Sequence, residues 1–100
     1  MKKLKIVFHE TAIEDLDVIW LHTVQNWSLE QADRYYNLIY DEVVFLAAKP
    51  GYGKDIGHIR EGYRSSKVKS HFIFYKHSWS EIDIIRILHE HLDIPNRLND

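Results

Sequence analysis

Cysteine is missing from this 100-residue chain altogether. Disulfides, thiolate-ligated zinc and a cysteine nucleophile are therefore excluded, and a reducing cytoplasm is compatible. Long apolar runs are missing too, and none approaches the ~20 residues that a membrane span needs. The basic start, Met1-Lys2-Lys3-Leu4-Lys5, is followed by no long apolar stretch, so it does not read as a secretory signal. There is no large excess of either charge. The net charge is −2, which argues against a general nucleic-acid binder. Proline occurs twice and glycine four times; all four glycines fall between residues 51 and 62, beside Pro50. No repeat and no low-complexity segment is present.

What remains is an ordinary globular composition, 45% apolar and 28% charged. A chain of this size buries somewhat under ~70% of its unfolded surface, enough for one modest core. The charge is unevenly divided. Residues 1–49 hold five Lys/Arg against eight Asp/Glu, whereas residues 50–92 hold seven against five and five of the seven histidines.

Leu4 to Phe8 reads as a first strand at a sheet edge, where Lys5 discourages stray pairing. Thr11-Ala-Ile-Glu14 fits a capping box opening a first helix, with Ile13, Leu16, Trp20 and Val24 on its buried face. Ser28-Leu-Glu-Gln31 fits a second box, with Trp27 packing on Ala32 as a hydrophobic staple. The second helix runs to about Ala48, with Ala32, Tyr35, Tyr36, Ile39, Val43, Leu46 and Ala47 as its apolar stripe. Pro50 and Gly51 stop it. The short connection between the helices predicts an antiparallel hairpin. Lys49 to Gly62 reads as a mobile loop; Gly51-Tyr-Gly-Lys54 lacks the spacing of a phosphate loop. Three strands follow between Gly62 and Asp93, joined at Lys69-Ser70 and at Ser78-Trp79-Ser80-Glu81. Residues 1–93 are expected to form a single domain, and 94–100 a polar tail.

The resulting order is β-α-α-β-β-β. It predicts an α+β fold in which a helical hairpin covers one face of a small, antiparallel-rich sheet. Arg64 and Arg86 lie inside otherwise apolar strands and are expected either to line a polar groove on the open face or to enter internal ion pairs with Glu61, Glu90 or Asp93. His89, His91 and Asp93 alternate along a strand and could in principle hold zinc, but a structural role is the simpler reading. Trp20 and Trp27 are expected in the core. Trp79, at a hairpin tip, is an exposed candidate for a partner contact, and the tyrosines Tyr35, Tyr36 and Tyr40 suggest an aromatic docking groove.

Several motifs in series resemble the RelE/ParE toxin superfamily, and within it the ParE branch. They are Asp15-Leu16, Ile19-Trp20, Trp27, Gln31-Ala32 and Tyr35; Leu46-Ala47-Ala48-Lys49-Pro50-Gly51-Tyr52-Gly53; Gly62-Tyr63-Arg64; Ser70-His71-Phe72-Ile73-Phe74-Tyr75; and Ile84-Ile85-Arg86-Ile87-Leu88-His89 through Asp93. The resemblance implies a cytoplasmic toxin of a type II toxin–antitoxin pair. Such a toxin binds DNA gyrase, is neutralised by a ParD-like antitoxin, and touches DNA only through that antitoxin. It implies no cofactor, metal or membrane, and it makes Arg97 and Leu98 candidates for toxicity. The RelE branch offers an alternative, mRNA cleavage on the ribosome. Arg64 and Arg86 match its two arginine positions, and His91 could do the acid–base work. A non-toxic binding or co-repressor relic is the third reading.

Overall fold

The computed structural model describes residues 3–98. Met1, Lys2 and the last two residues of the expected tail lie outside the described residues. The first strand, β1 (Lys5–Phe8), is followed by helices α1 (Glu10–Asn26) and α2 (Leu29–Ala48), then a 3-10 turn at Pro50–Tyr52. Four strands come next: β2 (Lys54–Asp55), β3 (Arg64–Val68), β4 (His71–His77) and β5 (Glu81–His89). A short helix, α3 (Ile94–Leu98), ends the described chain. The sheet order is β1-β5-β4-β3-β2. All neighbours are antiparallel except β1, which runs parallel to β5 from Lys5 opposite Glu81 to Phe8 opposite Ile84. β1 is an edge strand, as its lysine suggested.

The fold is α+β, with the hairpin of α1 and α2 on one face. Ala12 and Leu16 of α1 and Ile39, Val43, Leu46 and Ala47 of α2 pack on Ile73, Tyr75, Ile82, Ile84 and Ile87. The opposite face is not the open polar groove that was expected. Side chains alternate along β4, so Phe74 points away from Ile73 and Tyr75. It forms a second apolar cluster with Ile56, Tyr63, Leu88 and Leu98. Residues 94–98, expected within a polar tail, are therefore part of the fold: α3 carries Leu98 into this cluster, while Pro95 sits in the first turn of the helix, where its missing N–H costs nothing.

The second helix starts as expected, with the Ser28 hydroxyl accepting from the Gln31 amide at 3.0 Å. Gln31 does not return the bond but accepts from Arg34 instead, at 2.6 Å. The first capping box is not formed. His9, not Thr11, occupies the cap position, so Thr11 lies inside the first turn and its hydroxyl donates to the Ile85 carbonyl at 2.8 Å. The buried face of α1 shifts accordingly. Ala12, Leu16 and Ile19 meet the core, and Ile13 is exposed.

Thr11 is drawn to Ile85 because β5 carries a bulge there. Phe74 pairs with Arg86 and Tyr75 with Ile84, which leaves Ile85 without a partner on β4. The backbone groups freed at the bulge are taken up by α1: Thr11 binds the Ile85 carbonyl, and the Asp15 carboxylate accepts from the Ile87 amide at 2.9 Å.

The loop from Lys49 to Gly62 is built rather than loose. Tyr75 Oη donates to the Pro50 carbonyl at 2.7 Å and accepts from the Gly53 amide at 3.0 Å. A Cβ on Gly53 would lie 2.3 Å from that hydroxyl and 2.9 Å from the Ser65 carbonyl. Glycine is required here by close approach, and β2 follows directly.

Candidate partner-binding surface

Arg64 opens β3 and reaches back to the glycine turn, donating to the Gly53 carbonyl at 2.7 Å and to the Gly51 carbonyl at 3.4 Å. Arg86 sits beside the bulge and grips Asp15 through two bonds, Nε at 2.8 Å and a terminal nitrogen at 3.0 Å. The two side chains are only 19% and 13% exposed. The partner of Arg86 is thus internal but is none of the three acids expected for it. Asp15 comes from 71 positions away in sequence, a contact that no local pattern reveals.

His91 lies exposed in the turn after β5, its amide donating to His89 Nδ1 at 3.2 Å. The three groups considered for RNA cleavage are therefore spent in different places: Arg64 on the 50–53 turn, Arg86 on α1, and His91 past the end of the sheet. Asp93 accepts from the Asn96 side chain at 2.6 Å and from the Arg97 amide through its carbonyl, holding the start of α3. Among the described residues no group of three His, Cys, Asp or Glu is placed to hold a metal ion.

The partner-contact candidates divide. Trp79 is 91% exposed at the β4–β5 tip, where the Ser78 hydroxyl accepts from the Ser80 and Glu81 amides. Arg97 is exposed on α3, but Leu98 is buried. Leu98 therefore supports the fold and is not presented to a partner. Trp20 is half-buried and donates to Asp33 at 3.2 Å. Trp27, expected in the core as a staple, is 75% exposed. It sits in the two-residue connection between the helices.

Tyr35 is half-buried. Its hydroxyl lies 3.1 Å from the Val68 carbonyl and 2.5 Å from His71 Nδ1. All three groups are satisfied when His71 Nδ1–H donates to Tyr35 and Tyr35 donates to Val68. Burial, with His89 close by, pushes His71 down to about 4, so it is neutral at pH 7. Beyond Tyr35, the hairpin also exposes Val18, Leu21, Leu29, Tyr36, Leu38, Tyr40 and Phe45. Residues 10–48 contain eight acids and one cation, Arg34. The hairpin thus presents an apolar, aromatic and largely anionic surface, of the kind that docks a partner segment.

The sequence matches the model of the ParE toxin of the type II toxin–antitoxin system parDE over residues 6–93. The chain belongs to the ParE toxin family. It is the toxin component of a type II toxin–antitoxin system. Two relatives named Toxin ParE1 are similar to it. The one from Caulobacter vibrioides is 35% identical over 79 residues, covering 79% of this chain and 81% of that protein. The one from Mycobacterium tuberculosis is 33% identical over 84 residues, covering 83% and 86%. A solved structure titled as the chromosomal ParDE system from P. aeruginosa has a TM-score of 0.76 at 22% identity, covering 87% of this chain and 96% of that one. This last likeness supports the ParE fold.

Proposed function

We propose that this ParE-family toxin acts without catalysis, by binding DNA gyrase, and that a ParD-like antitoxin neutralises it by covering the exposed face of the hairpin. The family match over residues 6–93 carries the reading. The internal commitments of Arg64 and Arg86 support it, because a metal-free nuclease needs its cationic and acid–base groups within reach of one phosphate. The mixed apolar and anionic face of α1 and α2 supports a protein partner. An exposed stripe of aromatic side chains is a poor surface to leave in water and a good one to bury against an amphipathic segment.

The test is a supercoiling and cleavage assay with purified chain, gyrase, ATP and plasmid DNA, with and without the co-encoded antitoxin. Loss of supercoiling together with linear DNA, both reversed by antitoxin, is the expected result. Unaltered gyrase activity at a large molar excess of toxin would overturn the gyrase assignment, and cuts in ribosome-bound mRNA would replace it.

A further inference from the structure

Between the end of the helical hairpin and the β3–β4 turn lies an open pocket of about 520 Å³, which shares Leu38 with the exposed hairpin face. Its volume lies within the ~300–1,000 Å³ usual for small-molecule sites. The hairpin as a whole is acidic, yet no carboxylate lines this cavity. Its two permanent cations come from different elements: Arg34, on α2, and Lys69, in the turn. Arg34 donates to Gln31, which also lines the pocket. Lys69 has φ 54°, the only non-glycine residue with positive φ among those described. Positive φ is the backbone conformation that two-residue hairpin turns use, here between Val68 and His71.

The remaining wall is aromatic. It is lined by Trp27, which is largely exposed, and by half-buried Tyr35, His71 and His89. The Tyr35–His71 hydrogen bond and the edge-on packing of His71 on His89, 5.1 Å between ring centres, fix these rings in place. Exposed tryptophan and ordered rings are stacking platforms, and Arg and Lys supply charge-assisted bonds to phosphate. The cavity is larger than one carboxylate side chain requires, while a net charge of −2 disfavours tracking a long strand.

We infer that this cavity is a binding site for a single nucleotide unit, its base stacked against Trp27 and the Tyr35–His71 wall and its phosphate held between Arg34 and Lys69. The unit is either a free mononucleotide or the phosphorylated end of a single strand. The site is separate from the Asp15–Arg86 clamp and does not depend on the gyrase assignment.

The experiment is an NMR titration of the full ¹⁵N-labelled chain with adenosine 5′-monophosphate, adenosine, inorganic phosphate, and a tetranucleotide with or without a 5′-phosphate. The Trp27 indole and the Lys69 and Ser70 amides are expected to shift with the nucleotide. Adenosine and phosphate alone should bind about tenfold more weakly or less, since each forgoes one half of the contacts. Trp27→Ala and Arg34→Gln alter exposed side chains, and Lys69→Gly relaxes the turn, so all three variants should fold. Each should weaken binding by roughly five- to tenfold, the loss expected for one charge-assisted bond or one stacked base. Tighter binding of the 5′-phosphorylated tetranucleotide than of the mononucleotide would identify a strand end as the ligand, and the reverse a free nucleotide. No shift at millimolar nucleotide, shifts confined to other surfaces, or binding of an acidic peptide in place of nucleotide would each overturn the inference. Because gyrase is not in the assay, such a failure would leave the gyrase assignment standing.

Discussion

Replacing Asp15 by alanine tests whether the bulge in β5 is held by α1. The Asp15 carboxylate accepts three bonds, two from Arg86 and one from the Ile87 amide. Bonds to a charged group contribute about 1.5–3 kcal/mol each before losses elsewhere, and removing one partner of a buried pair costs about 3–5 kcal/mol. At 13–19% exposure the pair is not fully dry, which places the effect at the lower end, about 3 kcal/mol. Against a total stability of ~5–15 kcal/mol this is a large fraction. It corresponds to a fall in Tm of roughly 12–20 °C for a domain of this size. Urea unfolding of wild type, Asp15→Ala, Arg86→Met and the double variant would measure it. The two single losses should be strongly non-additive, and the urea dependence m should not change. A loss under about 1 kcal/mol in Asp15→Ala, or additive single effects, would refute the clamp.

Three further outcomes follow from the same structure. Gly53→Ala forces a Cβ against the Tyr75 hydroxyl and the Ser65 carbonyl, and should cost about 2–3 kcal/mol in urea unfolding. Lys69→Gly, by contrast, should stabilise the chain by roughly 0.5–1 kcal/mol, because its φ of 54° is free for glycine; a loss of stability would show that the lysine side chain holds the turn. Burial lowers His71 from 6.5 to about 4, so below pH 6.5 the unfolded chain binds a proton that the folded chain refuses. Stability is complete above pH 6.5 and falls until about pH 4; with the ring only half-buried the loss is roughly 1–2 kcal/mol, read as the difference between wild type and His71→Gln at pH 7 and pH 4.5.

The parts of the fold that local pattern governs were legible in the sequence. The stripe from Ala32 to Ala47 (except Tyr36, which is exposed), the Ser28 cap and the lysine-marked edge strand each follow from spacing or from a single side chain. What sequence did not reveal depends on contacts between distant segments. Thr11 and Glu14 have the spacing of a capping box, but the bulge carbonyl of Ile85 took the threonine hydroxyl. Arg86 was read against nearby acids, yet Asp15 reached it from α1. Leu98 sits in a stretch of polar composition, and only the apolar far face of the sheet explains why it is buried. Of the site, the aromatic character of the hairpin and the exposure of Trp79 were readable. The cavity was not, because its two cations belong to segments that only the fold brings together. The one available signal was that Arg34 is the sole cation in residues 10–48.

The parallel pairing of β1 with β5 bears on how the chain is made. β1 leaves the ribosome long before its partner, residues 81–84. At ~5–20 residues per second, the wait from Phe8 to Ile84 is roughly 4–15 s. Throughout that interval Leu16, Val43 and Leu46 have an incomplete sheet to rest on, and Asp15 has no Arg86. A chain that ends before residue 81 lacks both the partner of its edge strand and the Arg86 of its clamp.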